Sequence, residues 1–346
     1  MVVAHADGDT TPLVEATDGA AVSSSRMPFK VAVVGTGIMG RRMLAGLERH
    51  PEFETPWAWD DEPAARAAAA AEHPSVRFTE EVFEQPADLF YVATPPATHI
   101  PLARRARNAV LCEKPLAIDV PAARALVEEI RIPNAVNFPF ATDPSVATLE
   151  RILREGHHGE ALRLEIRHFF NDWPRTWQRG AAAWLAGPEQ GGFLREVFSH
   201  FAYLTDRLLG PIEVLDAVVE RGSGGTETSV LSELRAGGVR IRLFGAVGGR
   251  APDHNEWTLF GSRASLRLTG WGDVTIGDDD GWRDLSPDRP RAGLSDQLDA
   301  VARMLRGHPH PLPTFADALR IQETVESILG GKGPGVSVES GPSNGI

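Results

Sequence analysis

The chain has 346 residues, about twice the usual size of one domain, so we expect two domains. Its formal net charge of −12 argues against a nucleic-acid surface or a surface for anionic membranes, because both require a basic face. Cys112 is the only cysteine, which excludes an internal disulfide and a zinc site of several thiolates, and no apolar run approaches the ~20 residues of a membrane span. We therefore expect a protein of the reducing cytoplasm with neither nucleic-acid nor membrane partners.

The two ends of the chain differ in composition from the rest. Residues 1–27 have no basic segment followed by an apolar one, so they do not resemble a secretory signal, and we predict a flexible extension. Residues 331–346 are rich in Gly, Ser and Pro and are predicted to form a loose tail. Between them we expect one domain at residues 28–138 and a second at residues 139–330.

A glycine-rich turn follows the first apolar run, Phe29 to Val34, and a helical pattern follows the turn. Strand, G-x-G-x-x-G and helix in this order are the context of a dinucleotide site. The first glycine permits the tight turn, the second leaves room for the pyrophosphate and the third lets helix and strand pack closely. Free N–H groups at the start of the helix would face the phosphates. The predicted phosphate-binding residues are Gly35, Gly37, Ile38, Met39 and Gly40.

An acidic residue ends the second predicted strand, Thr55 to Trp59. Asp60 lies twenty positions after Gly40, where a carboxylate accepts hydrogen bonds from ribose hydroxyls and repels a 2′-phosphate. The sequence thus favours NAD over NADP. Asp60 alternatively caps the following helix, and Arg41 and Arg42 could meet a 2′-phosphate, so NADP stays possible.

Strands and helices continue to alternate up to Phe138, which predicts parallel βαβ units in a doubly wound sheet. Only three of the 35 Lys and Arg residues are lysines, and Lys114 falls at the end of the fifth strand. Gly35, Asp60 and Thr94 end other strands of the same sheet, where ligands of such sheets bind. A lysine there can be tuned to give up a proton, whereas the alternative is an ordinary surface lysine.

The second half of the chain has a different pattern, in which consecutive strands with Gly-rich turns predict an open, mainly antiparallel sheet in an α+β domain. A helix is predicted from Phe193 to Leu209, and in it Glu196 and His200 are four residues apart on one face. The carboxylate could orient the imidazole and stabilise its cation. The alternative is a buried histidine satisfied by its neighbour. We expect no metal, because no third ligand has suitable spacing.

These segments together resemble the family of glucose–fructose oxidoreductase, inositol dehydrogenase and the MocA rhizopine proteins. The resemblance rests on the glycine-rich turn, on the Thr94–His99 segment, on Glu113-Lys114-Pro115 and on Gly191-Gly192 with Glu196 and His200. It implies that Thr94, Pro95 and His99 border the nicotinamide. It also implies that Lys114 contacts substrate and nicotinamide ribose, while Glu113 fixes Lys114 and His200 serves as acid or base.

The resemblance further implies a substrate and oligomerisation domain at residues 139–330 whose C-terminal helices pack back toward the first domain. The exposed face of its sheet would make the subunit contacts of a homodimer or homotetramer.

Two positions depart from the family pattern. Glu196 stands where an Asp is usual, and Pro139 replaces the Arg that commonly follows Asn137 by two positions. A standard sugar pocket is therefore in question, and a more aromatic one is suggested. Its candidate residues are Asn137, Phe140, Trp173 and Trp177. For Phe138 and Phe140, core packing is the alternative.

The leading hypothesis is hydride transfer between NAD or NADP and a carbonyl or secondary alcohol carbon of a small polyol, sugar-like or cyclic metabolite. Lys114 and His200 would handle the substrate oxygen and the proton, and either could be the proton donor. The alternatives are a non-catalytic dinucleotide-binding sensor or scaffold, and a reductase of a C=N bond or of a more hydrophobic metabolite.

Overall fold

The computed structural model describes residues 27–288 and 293–331. The predicted extension and the predicted tail lie outside these residues, apart from Met27 and Gly331. None of the helices in the described ranges is long and apolar enough to cross a bilayer.

The first half of the chain forms a six-stranded sheet in which all paired strands are parallel. Its strands are β1 (Phe29–Val34), β2 (Phe53–Trp59), β3 (Arg77–Phe78), β4 (Leu89–Val92), β5 (Val110–Glu113) and β6 (Asn134–Asn137). Its connecting helices are α1 (Ile38–Leu47), α2 (Pro63–Glu72), α3 (His99–Ala103) and α4 (Val120–Glu129). The order β3-β2-β1-β4-β5-β6 places β1 and β4 at the centre. Their residues Val31–Val34 and Leu89–Val92 are buried because helices cover both faces, as the apolar runs predicted.

The second half of the chain forms an eight-stranded sheet. Its strands are β7 (Ala161–Phe170), β8 (Ile212–Arg221), β9 (Glu227–Ala236), β10 (Val239–Val247), β11 (His254–Gly261), β12 (Ser265–Thr269), β13 (Asp273–Asp278) and β14 (Gly281–Asp284). The helices of this half are α5 (Pro144–Glu155), α6 (Ala182–Leu185), α7 (Ser199–Leu209), α8 (Leu294–Leu305) and α9 (Phe315–Leu329).

The strand order of this sheet is β14-β13-β12-β11-β7-β10-β9-β8, and only the β7–β10 pair is parallel. Buried and exposed residues alternate along β9 and β10, so one face is packed and the other is open. The predicted fold class is therefore confirmed: a Rossmann sheet followed by an open, mainly antiparallel sheet. The short polar strands β13 and β14 were not predicted.

The C-terminal helices contact the first half of the chain. Helix α8 packs on α1, where a Cβ on Gly46 would lie 2.2 Å from Leu294 Cδ2, so a larger residue at position 46 would force the Leu294 side chain to move. The segment before α9 adds to the edge strand β6, since the Val136 N–H donates to Pro313 O at 2.9 Å. Helix α9 packs on α4 and α7 and so ties the two sheets together.

The helix predicted from Phe193 to Leu209 is in two parts. Leu194–Phe198 is a π-helical turn, and α7 follows from Ser199. Within the turn, Arg195 is buried and donates to both carboxylate oxygens of Glu326 on α9, at 2.7 and 2.8 Å. This pair fixes the start of the helical segment against the C-terminal helix.

Loss of the Arg195 guanidinium should destabilise the protein strongly. We expect Arg195→Met to lower the free energy of unfolding by about 3 kcal/mol, because removing one partner of a buried pair leaves the other charge uncompensated. Arg151→Met is the matched control, since Arg151 binds Glu155 on an exposed helix face, and it should cost about 0.5 kcal/mol or less. Urea unfolding measures both values, and equal losses would contradict the assignment.

Candidate active site

The carboxyl ends of β1, β2, β4 and β5 lie side by side at one edge of the first sheet. The Gly35 N–H donates to Trp59 O, and the Ala93 N–H to Val34 O, both at 2.7 Å. The structure therefore places the predicted residues Gly35, Asp60, Thr94 and Lys114 along one edge, as parallel neighbours require.

The glycine-rich turn has the geometry of a phosphate site. Gly35 has φ +95°, and a Cβ on Gly40 would lie 1.9 Å from Gly35 O, so neither position tolerates a side chain. A Cβ on Gly37 would meet nothing within 4 Å, so open space lies in front of the turn. No side chain caps the start of α1, and its first turn, which includes Ile38 and Met39, has no acidic residue. The N–H groups there are therefore available to a diphosphate.

Asp60 is buried beneath this turn. Its carboxylate accepts from the Thr36 N–H, from Thr36 Oγ1 at 3.0 Å and from the Glu62 N–H at 2.9 Å. A carboxylate offers about four acceptor positions, so one remains for a ribose hydroxyl. Asp60 thus braces the turn in addition to any contact with a nucleotide.

His99 connects the loops that follow β4 and β5. It is fully enclosed, with Nε2 2.7 Å from Thr94 O and Nδ1 2.9 Å from Pro115 O. Burial lowers its pKa, against the opposing effect of these carbonyls. A neutral ring donates to one of them only. Pro95 lies in the same loop, so the segment expected to border the nicotinamide is fixed next to Lys114.

Glu113, at the end of β5, is held by residues of the two neighbouring strands. It accepts from Tyr91 Oη and, at 2.7 Å, from Asn137 Nδ2. Burial raises the pKa of Glu113, which favours its neutral form. Asn137 was predicted to contact the substrate, but its amide donates to Glu113. The two residues position the turn that carries Lys114.

Lys114 contacts Glu196 in the π-helical turn. Its Nζ donates to Glu196 Oε2 and, at 3.0 Å, to Glu196 O. Gln178 Nε2 donates to Glu196 Oε1 at 2.9 Å, and an amino group of Arg175 lies 3.9 Å from the same oxygen. The side chains of Lys114 and Glu196 are only 11% and 15% exposed. We call the region around this contact, where the two halves of the chain meet, the cleft.

His200 does not receive the carboxylate that was predicted to orient it. A π-helical turn contains one residue more than an α-helical turn. Residues four apart, such as Glu196 in the turn and His200 after it, therefore no longer lie on one face of the helix. Among the described residues, the buried Nδ1 of His200 has no hydrogen-bond partner. The ring packs edge-on against Phe138 and Trp271, at 5.6 and 5.2 Å between centroids. Burial, then the Lys114 ammonium and the Arg175 guanidinium, hold its pKa well below the usual value, so the ring is neutral at pH 7.

The predicted aromatic residues divide into two groups. Phe140 is buried and packs against Phe201 and Trp271, which agrees with the alternative of core packing. Trp173 is half-buried, and Trp177 is 63% exposed.

Arg175, which lies between these two tryptophans, and Gln178 were not predicted from the sequence as site residues. The available signal was an arginine flanked in the sequence by the two tryptophans predicted to line the pocket.

Comparisons with known proteins agree with this geometry. Residues 29–136 match the family described as oxidoreductase family, NAD-binding Rossmann fold. The resemblance predicted from the sequence is confirmed for these residues, and the cofactor class is a nicotinamide dinucleotide.

Two relatives have partial sequence similarity. An inositol 2-dehydrogenase of Saccharopolyspora erythraea is 34% identical over 154 residues, which are 41% of this chain and 45% of the relative. A D-xylose 1-dehydrogenase [NADP(+)] of Haloarcula marismortui is 32% identical over 114 residues, 30% of this chain and 32% of the relative. The chain thus matches less than half the length of either.

Solved structures are similar over most of the chain. A levoglucosan dehydrogenase in complex with NADH and levoglucosan has a TM-score of 0.74 at 18% identity, covering 88% of this chain and 97% of the other. The WlbA dehydrogenase of Bordetella pertussis in complex with NADH and UDP-GlcNAcA gives 0.74 at 21% identity, covering 88% and 96%. At such identities the likeness shows the fold.

Two glycine variants should separate nucleotide binding from folding. We expect Gly37→Ala to leave the thermal midpoint unchanged but to weaken NADH binding at least about tenfold, because its Cβ enters the open space of the diphosphate. Gly40→Ala should instead destabilise the fold by about 2 kcal/mol or more, because its Cβ overlaps the Gly35 carbonyl. Protein fluorescence and thermal unfolding give both quantities. Tight NADH binding by Gly37→Ala would refute the site.

Proposed function

We propose that this chain, whose residues 29–136 belong to the oxidoreductase family with an NAD-binding Rossmann fold, transfers a hydride between a nicotinamide cofactor and a carbonyl or secondary alcohol carbon of a small polyol, sugar-like or cyclic metabolite. The observation that carries the proposal is the position of Lys114. It lies at the sheet edge of the nucleotide site and reaches into the cleft near a buried neutral histidine. The relatives named for inositol and xylose support a polyol or sugar as substrate.

The cofactor would supply the hydride chemistry, and the residues of this chain bind and orient it. The open space before Gly37 and the uncapped start of α1 would receive the diphosphate. Asp60 favours NAD, because its remaining acceptor position suits a ribose hydroxyl and its charge repels a 2′-phosphate. Clearly tighter binding of NADPH than of NADH would oppose this reading of Asp60.

Lys114 would hold the substrate oxygen. An ammonium has three N–H donors, and Glu196 takes two of them, so one remains for a ligand in the cleft. Its positive charge would stabilise the negative charge that develops on that oxygen.

His200 would accept the proton when an alcohol is oxidised, because its ring is neutral at pH 7. Glu196 acts on this pair through Lys114 and not by direct contact with the imidazole.

Removal of either polar group should abolish turnover without loss of cofactor. We expect Lys114→Met and His200→Asn to lower kcat on a panel of inositols, pentoses and hexoses by about 100-fold or more, with NADH affinity retained. Lys30→Met is the control, because Lys30 is an exposed lysine of the first sheet. Full turnover by Lys114→Met would refute its role. Cofactor binding by the wild type without turnover of any alcohol would favour the non-catalytic alternative.

The open face of the second sheet is the proposed subunit interface. Leu231 lies opposite Val218 on one side and Phe244 on the other, and the three are 59%, 56% and 40% exposed. The Phe169 ring lies 5.4 Å from that of Phe244 and extends this row. A continuous apolar row in the middle of a sheet face supports a homodimer or homotetramer formed through it.

A charge in this row should prevent association. We expect the wild type to have the mass of a dimer or tetramer by light scattering at micromolar concentration, and Leu231→Glu to be monomeric with its thermal stability retained. Met27→Glu is the control, because Met27 is 82% exposed and lies outside the sheet. An unchanged mass for Leu231→Glu, or a monomeric wild type, would contradict the proposed interface.

A further inference from the structure

We propose that Arg175 is a specificity-determining residue that binds a carboxylate of the substrate, so that the preferred substrates are polyhydroxy acids and not neutral polyols or sugars. This inference rests on the proposed function and adds the substrate class.

Arg175 is mostly enclosed, and its neighbours hold it on several sides. Its side chain is 13% exposed, and its guanidinium lies 4.9 Å from the Trp177 ring and 5.5 Å from the Trp173 ring. Its Nε donates to Gln178 Oε1 at 3.0 Å. An arginine stacked between aromatic rings and held at Nε loses little freedom on binding a ligand. Trp177 is 63% exposed, so solvent and solutes reach this side of the cleft.

Arg175 lacks the direct partner that other enclosed arginines have. Arg195, Arg207 and Arg306 each donate to a carboxylate. Within the described part of the chain, the nearest carboxylate to Arg175 is Glu196, at 3.9 Å, and neither terminal amino group donates a hydrogen bond. The two terminal amino groups form the edge of the guanidinium that matches a carboxylate with parallel hydrogen bonds.

The charges of the cleft also favour an anion. Lys114 and Arg175 are cations on either side of Glu196, whose two oxygens they approach. Asp253 also acts on Arg175 electrostatically. An oxidised nicotinamide ring would add another positive charge. A substrate carboxylate would be attracted by these cations.

The position of Glu196 shows that a carboxylate fits beside Lys114 and Arg175. A carboxylate already lies between Lys114, Gln178 and Arg175, with hydrogen bonds from the first two. A second carboxylate on the open side of Arg175 would leave Lys114 free to hold a hydroxyl of the same molecule.

The test compares acids with their neutral counterparts. We expect the wild type to oxidise D-gluconate and D-galacturonate with kcat/KM at least about tenfold above that for D-sorbitol and D-galactose. Arg175→Met should abolish this preference: the ratio of kcat/KM for the acids to that for their neutral counterparts should fall at least about tenfold, mainly through KM of the acids, because a charge-assisted pair is lost. Arg175→Lys should fall between the two, since it keeps the charge without the fork.

Arg267→Met is the matched control. Arg267 also lies over a tryptophan ring, that of Trp282 at 3.7 Å, and also has a carboxylate, that of Glu256, at 3.9 Å, but it is on the second sheet away from the cleft. It should leave both substrate classes unaffected.

Several outcomes would overturn the inference while the proposed dehydrogenase stands. They are equal turnover of acids and neutral compounds, a preference for sugar phosphates, and an equal loss of both classes in Arg175→Met. If no compound is turned over, the proposed function fails. Titration of D-gluconate into the NADH complex then decides the inference on its own: binding that Arg175→Met abolishes supports it, and absent or unaltered binding overturns it.

Discussion

The contact between Lys114 and Glu196 is the interaction on which the candidate site depends. Lys114 ends a strand of the first sheet, and Glu196 lies in the helical segment that packs on the second. Their contact therefore joins the two halves at the place where a cofactor and a substrate would meet. Because both side chains are mostly enclosed, either charge without the other would be unfavourable.

The π-helical turn explains why this contact exists. The Glu196 carbonyl in this turn accepts from Lys114 Nζ at 3.0 Å, so the main chain of Glu196 holds the lysine in addition to its carboxylate. The turn itself is fixed from three directions. Glu227 accepts from the Leu194 N–H at 2.7 Å, Arg195 is held by Glu326, and Gly192 at φ +94° redirects the chain before it. The irregular helix is thus a consequence of tertiary contacts, and the position of Glu196 follows from it.

Local chemistry was enough to predict the first half of the molecule. Apolar runs, the glycine-rich turn and the alternation of elements led to the observed sheet and to the edge where Lys114 lies. The partner of Glu196 could not be predicted, because the helical spacing that paired it with His200 assumes a regular helix. Arg175 was missed since a loop side chain acquires its neighbours only through the fold. The strand β13 was missed although its Val274 and Ile276 alternate with polar residues, and β14 was missed because its four residues include a single apolar side chain.

The two departures from the family pattern, Glu196 and Pro139, lie close to the same group of side chains in the structure. Pro139 begins a short 3-10 helix after β6, and Phe138 and Phe140 on either side of it pack around His200 and leave its ring among aromatic neighbours. The guanidinium of the cleft comes instead from Arg175, on the loop that follows β7. Glu196, one methylene longer than aspartate, reaches Lys114 with one oxygen and faces Arg175 with the other. Glu196 and Arg175 therefore form one arrangement, in which charge enters the cleft from the second half of the chain.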